Sequence, residues 1–324
     1  MKLMAFTVLL AAPRGFCAGV ERAIRTVELA LDNRAAGDER PIYVRHEIVH
    51  NKFVVDDLRA RGAVFVEDTA EIPGGSTAVF SAHGVSPDVR NEASARQLVT
   101  LDATCPLVSR VHAAVLRYAG RGYTILFVGH AGHPEVEGVM GEAPDSVRLV
   151  QTVADAHTID VPDPTRVAYA TQTTLSLDDV SAIVDALRQR FPAMIGPEAG
   201  DVCYATQNRQ EAVVALVEKH AADVVLVLGS PNSSNSNRLR EVAEAAGARA
   251  YLLGRASELQ PAWLDGARRV GVSAGASTPE HLVQALIERL TELGADDVQT
   301  VETRVEDVFF APPPLARLSA RSSL

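Results

Sequence analysis

The feature that most constrains this chain is a regular alternation of short apolar runs with stretches of helical period. Most runs are rich in Val, Leu, Ile or Phe, and a stretch with apolar residues every three or four positions follows most of them. Such runs are typical of strands buried on both faces, as in parallel sheets joined by helices. The sequence predicts an α/β protein with mainly parallel sheets, and its strand-like runs include "PIYVRH", "AVFVED", "TAVFSAHG", "YTILFVGH", "RVAYATQT", "DVVLVLGS", "ARAYLLG" and "RRVGVSAG".

Three cysteines occupy similar places in this alternation. Cys17, Cys105 and Cys203 are 88 and 98 positions apart, and an apolar-periodic helix is predicted to begin within a few residues of each. An arginine follows each cysteine five or six residues later: Arg22, Arg110 and Arg209. A helix N-terminus stabilises a thiolate through its partial positive charge, so the matched positions favour a shared role over three unrelated buried thiols.

The spacing of the cysteines is about the length of one small domain. It predicts three similar α/β units over residues 1–98, 99–196 and 197–310. We expect the units to be arranged with pseudo-threefold symmetry, with the polar loops at the carboxyl ends of their strands around one pocket. A Pro- and Ser-rich tail, residues 311–324, is expected to be disordered.

Three converging thiolates without a fourth suggest a metal centre with one open position. A catalytic zinc ion keeps three protein ligands and one exchangeable ligand. An iron–sulfur cluster normally takes four cysteines, and with three it keeps one iron free for a substrate. The spacing alone does not distinguish zinc from iron.

Composition limits which kinds of ligand this chain is expected to bind and which cellular compartment it is expected to occupy. A net charge of −10 argues against a nucleic-acid surface, so an anionic ligand must be held locally by neutral donors, histidines or helix N-termini. Three cysteines, far apart in sequence, favour a reduced, cytoplasmic compartment. No C-x-x-C pair occurs, so neighbouring cysteines form neither a zinc ribbon nor a thioredoxin-type motif. The start "MKLMAFTVLLAAP" has one lysine and is interpreted as a buried strand over Phe6 to Leu10 rather than a secretory signal. No apolar run approaches the ~20 residues of a membrane span.

Nine segments, in order along the chain, resemble the family of 4-hydroxy-3-methylbut-2-enyl diphosphate reductases of the non-mevalonate isoprenoid pathway. The resemblance extends from about Leu9 to about Phe310. It implies a cloverleaf of three α/β units around a central [4Fe–4S] cluster held by Cys17, Cys105 and Cys203. The segments are "PRGFCAGVERAI", "YVRHEIVHNKFVVD", "FSAHGVS", "DATCPLVSRVH", "GHAGHPEVEG", "TQTTLS", "CYATQNRQEAV", "GSPNSSNSNRL" and "AGAST".

The same resemblance implies the reaction. It is the reductive dehydroxylation of (E)-4-hydroxy-3-methylbut-2-enyl diphosphate to isopentenyl diphosphate and dimethylallyl diphosphate. The iron without a cysteine binds the substrate hydroxyl, and Glu135 is the proton donor if burial raises its pKa toward neutrality. An external ferredoxin or flavodoxin is implied as the source of electrons.

The remaining site residues are expected to bind and orient the substrate. By the resemblance, His46, His83 and His133 contact the diphosphate, and Thr173 positions the substrate hydroxyl or Glu135. The polar loop "PNSSNSN" opens a predicted helix, which is a ready anion site. The loops predict further diphosphate ligands at Ser233, Ser234, Asn235 and Ser277, with Thr206 as a weaker candidate. His50 and His112 are interpreted as structural.

Two other functions fit the same residues. A zinc or iron–sulfur hydro-lyase would remove water without electrons, so its turnover would need no reductant. A phosphate-binding or iron–sulfur sensor protein would have no turnover and would bind its ligand equally well after Glu135→Gln.

Overall fold

The structure is a computed structural model that describes residues 5–34, 40–197 and 200–314. Strands and helices alternate along most of the described chain. The strands are β1 (Phe6–Ala12), β2 (Ile42–Arg45), β3 (Ala63–Val66), β4 (Thr77–Phe80), β5 (Val99–Asp102), β6 (Thr124–Val128), β7 (Val147–Val150), β8 (Val167–Thr171), β9 (Val224–Leu228), β10 (Arg249–Leu253), β11 (Arg269–Ala274) and β12 (Ala295–Glu302). The helices are α1 (Ala18–Asp32), α2 (Lys52–Ala60), α3 (Pro87–Ala95), α4 (Pro106–Ala119), α5 (Pro134–Met140), α6 (Val153–Thr158), α7 (Leu177–Arg190), α8 (Tyr204–Glu218), α9 (Ser234–Ala245) and α10 (Glu280–Glu292).

The chain divides into two compact units. The five-stranded unit consists of Met1–Cys17, His50–Lys52 and Cys203–Phe309. The two-sheet unit consists of Ala18–Val49, Phe53–Val202 and Phe310–Leu324. Every strand pairing in the described chain is parallel, so the predicted α/β class with mainly parallel sheets is confirmed.

The five-stranded unit has one sheet in the order β10-β9-β11-β1-β12. Successive residues of β1 alternate between two apolar cores: Val8 and Leu10 pack with residues of α10, whereas Leu9 and Ala11 pack with residues of α8 and α9. Helices on both faces explain why the strands read as continuous apolar runs rather than as alternating ones.

The position of β1 differs from the predicted domain boundaries. The N-terminal strand was expected in the first unit, 1–98, but it pairs with β11 and β12 near the C-terminus. The cause is long-range pairing, which the local apolar pattern does not encode. Of the predicted tail, residues 311–314 form no helix or strand, and residues 315–324 lie outside the described residues.

The two-sheet unit contains one sheet in the order β3-β2-β4-β5 and one in the order β7-β6-β8. In β6, Leu126 and Val128 join a core with α7, whereas Ile125 and Phe127 join a core with α4 and α5. No helix in the described residues combines the length and apolar character that crossing a membrane requires.

Parallel strands place their carboxyl ends at one edge of each sheet, and the predicted site residues follow those ends. Within the two-sheet unit, the segments that follow β2, β4, β5, β6 and β8 carry His46, His83, Cys105, His133 with Glu135, and Thr173. Within the five-stranded unit, the segments that follow β1, β9 and β11 carry Cys17, the Ser233–Asn235 stretch and Ser277. Cys203 and the weaker candidate Thr206 follow no strand directly in the described chain.

Candidate active site

Glu135 is a buried carboxylic acid held at both oxygens by one threonine. It lies in the first turn of α5 and is 2% exposed. Its Oε1 accepts the backbone N–H of Thr173 at 2.8 Å, and its Oε2 accepts the Thr173 hydroxyl at 3.0 Å. The structure therefore brings Glu135 together with Thr173, the residue that was predicted to position the substrate hydroxyl or Glu135.

Burial is the main cause that raises the pKa of Glu135 to about 7. The two hydrogen bonds from Thr173 oppose this rise, and the charge of Asp201 adds to it. Asp201 is itself fixed to Thr171, whose N–H it accepts at 3.0 Å. A carboxyl group with a pKa near neutrality can donate a proton at physiological pH and take one up again.

His133 is the N-cap of α5 and lies directly beside this acid. Its Nδ1 accepts the backbone N–H of Glu135 at 3.1 Å, which leaves Nε2 as the N–H donor of the neutral ring. The ring of His83 stands edge-on to that of His133, with centroids 5.5 Å apart, and its Nδ1 is 3.2 Å from the Ser81 hydroxyl. Two predicted diphosphate contacts are thus neighbours in the two-sheet unit.

His46 is held in an unusual conformation after β2. Its φ of 57° lies in the left-handed region, which non-glycine residues seldom adopt. Nδ1 is 2.6 Å from Glu67 Oε2, whereas Nε2 is buried and has no hydrogen-bond partner among the described residues. A protonated His46 would offer this Nε2–H to an anion.

Cys105 is connected to the histidine loops through the backbone. It is the N-cap of α4, and its N–H donates to Ala82 O, next to His83, at 3.0 Å. Its side chain makes no cap hydrogen bond and is half-buried. A helix N-terminus next to a thiol of this kind favours the thiolate.

In the five-stranded unit, the loop before α9 is joined to the loop after β11. Ser233 is the N-cap of α9, and its Oγ accepts the Ser236 N–H at 3.3 Å. Asn235 accepts the Ala276 N–H at 2.9 Å through Oδ1, while its Nδ2 is buried without a partner among the described residues. The hydroxyl of Ser277 donates to His50 O at 2.9 Å. The predicted anion ligands therefore share one edge of the sheet, and Ser234 is half-buried beside them.

Cys17 lies next to this edge. Its backbone N–H donates to Ala276 O at 3.3 Å, so it adjoins the residue that binds Asn235. Cys203 is the N-cap of α8, and its Sγ accepts the Thr206 N–H at 3.3 Å. The weaker diphosphate candidate Thr206 thus contacts a cysteine, with its hydroxyl 3.1 Å from the Cys203 sulfur.

Sequence reasoning missed two residues beside these thiols. Burial, and then the charges of Cys17, Glu306 and Cys203, raise the pKa of the Tyr204 phenol. Two of the three thiols therefore act on one tyrosine in the five-stranded unit. The sequence feature that could have identified Tyr204 is its position directly after Cys203 in "CYATQNRQ". Asp201, two residues before Cys203, is the second missed residue.

The thiols match the donor chemistry of an iron–sulfur centre. All three lie in the described part of the chain. Each is half-buried, and none of them forms a disulfide. Among the described residues, no three His, Cys, Asp or Glu side chains are grouped to bind one metal ion. In a [4Fe–4S] cluster each cysteine binds a different iron, so its ligands need not converge on a single ion.

A family model described as LytB protein matches residues 8–291, which is most of the chain. The chain belongs to the LytB protein family. The family resemblance predicted from the nine motifs is supported by curated relatives. One from Aromatoleum aromaticum, named 4-hydroxy-3-methylbut-2-enyl diphosphate reductase, is 58% identical over 94% of this LytB chain and 96% of its own length.

Solved structures support the fold of the LytB chain. The E-1-hydroxy-2-methyl-but-2-enyl-4-diphosphate reductase of Plasmodium falciparum matches with a TM-score of 0.91 and 36% identity, over 99% of both chains. A second structure is described as (E)-4-hydroxy-3-methyl-but-2-enyl diphosphate reductase, the terminal enzyme of the non-mevalonate pathway. It matches with a TM-score of 0.62 and 31% identity, over 89% of this chain and 99% of that chain.

Proposed function

We propose that this LytB chain reduces (E)-4-hydroxy-3-methylbut-2-enyl diphosphate to isopentenyl and dimethylallyl diphosphates. Two electrons and two protons enter. The allylic C–O bond breaks, one proton leaves with the hydroxyl as water, and the other forms a new C–H bond. The names of the relatives support the reaction. The observation that carries the proposal is a buried acid, Glu135, with both oxygens held by Thr173 and a pKa near neutrality.

Glu135 is proposed to hold the proton that the departing hydroxyl takes. When Oε2 carries the proton, it can donate to Thr173 Oγ1, which lies 3.0 Å away. The threonine hydroxyl is then free to donate its own hydrogen to the substrate oxygen. Thr173 thus orients the acid and passes the proton on, while the low exposure of both residues keeps bulk water away from the transfer.

Cys17, Cys105 and Cys203 are proposed to hold a [4Fe–4S] cluster. Their half-buried thiols and positions at helix N-termini fit thiolate ligands. When bound, the cluster supplies single electrons and a Lewis-acid iron for the hydroxyl oxygen. An external ferredoxin or flavodoxin is the proposed electron donor. A cytoplasmic location, where thiols stay reduced, belongs to the same proposal.

The diphosphate is proposed to bind to neutral donors and histidines. Asn235 Nδ2 and His46 Nε2 are buried polar atoms that lack a partner among the described residues. A buried polar group without a partner is costly, so each such atom favours a bound ligand. The remaining proposed ligands are His83, His133, Ser233, Ser234 and Ser277. This set explains how a chain of net charge −10 can bind a strongly anionic substrate.

The test is turnover by anaerobically purified protein with a chemical reductant, together with iron, acid-labile sulfide and zinc analysis. We expect bound iron and sulfide, and turnover that requires the reductant. Glu135→Gln keeps the size of the side chain but removes its acid, and we expect turnover to fall by about 100-fold or more. Glu137→Gln is the matched control, because Glu137 is an exposed carboxylate on the same short helix.

Unchanged turnover in Glu135→Gln would remove the proposed proton donor. Turnover without a reductant would identify a hydro-lyase instead. A zinc-loaded protein without acid-labile sulfide would contradict the cluster, and ligand binding without turnover would favour a sensor.

A further inference from the structure

The arginines that follow the three cysteines have no role in the chemistry proposed above. Arg22, Arg110 and Arg209 stand in the first or second turn of the helix after each cysteine. The spacing suggests that each would act on its own cysteine. The hydrogen bonds of Arg22 and Arg209, however, are made to the loops of other cysteines.

Arg209 follows Cys203 but binds the loop of Cys17. It is completely buried, and its Nε and Nη2 donate to the carbonyls of Gly15 and Phe16 at 3.0 and 3.1 Å. The Glu306 carboxylate neutralises it, 3.0 Å from Nη1. A buried guanidinium is costly unless all its donors are satisfied. Two of the Arg209 donors bind the backbone carbonyls of the two residues directly before Cys17.

Arg22 follows Cys17 but binds the loop of Cys105. Its Nη1 donates to Thr104 O at 2.8 Å, and its Nη2 donates to Asp102 O at 3.3 Å. The third donor, Nε, binds Ala311 O at 2.9 Å. The planar guanidinium thus holds the backbone on the N-terminal side of Cys105. A lysine ammonium cannot form the same forked set of hydrogen bonds.

We propose that Arg22 and Arg209 each position the loop of a cysteine other than the one they follow: Arg22 holds the loop of Cys105, and Arg209 holds the loop of Cys17. The inference rests on the proposed function only in taking these cysteines as cluster ligands. The arginines are positioning residues. By fixing the backbone of these two loops, they hold Cys17 and Cys105 in place before a cluster is present.

The test is backbone amide exchange, measured by mass spectrometry on the full chain with its iron and after anaerobic iron removal. The amides of Ala103 and Cys105 are bonded to Phe80 O and Ala82 O, so their exchange reports opening of that loop. Arg22→Gln should speed exchange in peptides over 102–106 by about tenfold or more, the effect of losing hydrogen bonds to a charged group. Peptides over 14–18, beside the mutation in sequence, should not change.

Arg22→Lys should give most of this increase, because the charge remains while the forked hydrogen bonds are lost. Arg25→Gln is the matched control, since Arg25 is an exposed residue of the same helix that pairs with Glu28. Arg209→Gln should show the complementary pattern. It should speed exchange over 14–18, where Gly15 N–H bonds Ala274 O, and leave the Cys203 loop unchanged. Both Gln variants should lose iron several-fold faster than the wild type.

Faster exchange at the loop of the cysteine that the arginine follows, or at neither loop, overturns the proposal. Faster exchange at the expected loop with unchanged iron retention overturns the positioning of ligands. Arg209→Gln removes the guanidinium that neutralises Glu306, which keeps its hydrogen bond from Asn208 Nδ2. This variant risks misfolding, so the Arg22 variants decide the outcome. If the wild type holds no iron, the proposed function fails while the exchange measurements still test the arrangement of the loops.

Discussion

At the residue scale, the site depends on one acid whose environment keeps it protonated. The burial that raises the pKa of Glu135 to about 7 also makes the folded state sensitive to pH. In the unfolded chain the same carboxyl has an ordinary pKa near 4.5. Between these two values the unfolded chain releases a proton that the folded chain keeps.

Glu135 should therefore lower stability as pH rises through this window. Below pH 4.5 both states are protonated and the group contributes nothing; by pH 7 the free energy of unfolding has fallen by about 3 kcal/mol from this source. Glu135→Gln should remove that dependence. Urea unfolding of both proteins at pH 5, 6, 7 and 8 measures the effect. Equal slopes in the two proteins would mean that Glu135 ionises normally.

Turnover should also fall as Glu135 loses its proton. A proton donor with a pKa of about 7 is mostly ionised at pH 8, so kcat should fall above neutrality. Thr173→Val removes the hydroxyl bond that lowers the pKa of Glu135, so the fall should move to higher pH while the rate at each pH drops. Thr165→Val, at an exposed position, is the control. A pH profile of Thr173→Val that does not shift would contradict the coupling.

At the element scale, the proposed diphosphate site includes the N-terminus of α9. Ser233→Ala removes its cap and should cost about 1 kcal/mol of stability, because one backbone N–H loses its partner. It should also raise KM by about tenfold, because a hydroxyl donor to an anion is lost. Thr152→Ala removes the equivalent cap of α6, which carries no proposed ligand. The two variants should lose similar stability, and an equal change in KM would contradict the role of Ser233.

Local sequence patterns predicted the helices and strands better than the long-range contacts that these elements make. The apolar run "DVVLVLG" contains β9, and α9 begins shortly after it, as predicted. Both could be predicted because the spacing of apolar residues and the polarity of a loop are properties of neighbouring residues. The bond between Asn235 and Ala276 joins two loops about 40 positions apart, and no sequence period encodes it. The arginines after the cysteines were visible in the sequence, but the loops that accept their hydrogen bonds were not.

At the scale of the whole molecule, β1 pairs the N-terminal part of the chain with strands from its C-terminal part. This strand lies between β11 and β12, and β12 pairs with no other strand in the described chain. The five-stranded unit is thus made from both ends of the sequence, which brings Cys17 and Cys203 into one unit. Two thiols almost 200 positions apart therefore both influence Tyr204.

A small cavity in β1 should for this reason weaken strands more than 200 positions away. Val8 has no exposed surface, and its register partners are Val270 of β11 and Val298 of β12. Val8→Ala should cost about 2 kcal/mol and speed amide exchange most in β9, β11 and β12. Val44→Ala is the matched control, because Val44 is equally buried in β2 and pairs with β3 and β4. Its main effect should be in those strands, and if both variants loosened the same strands, the assignment of β1 to the C-terminal sheet would be wrong.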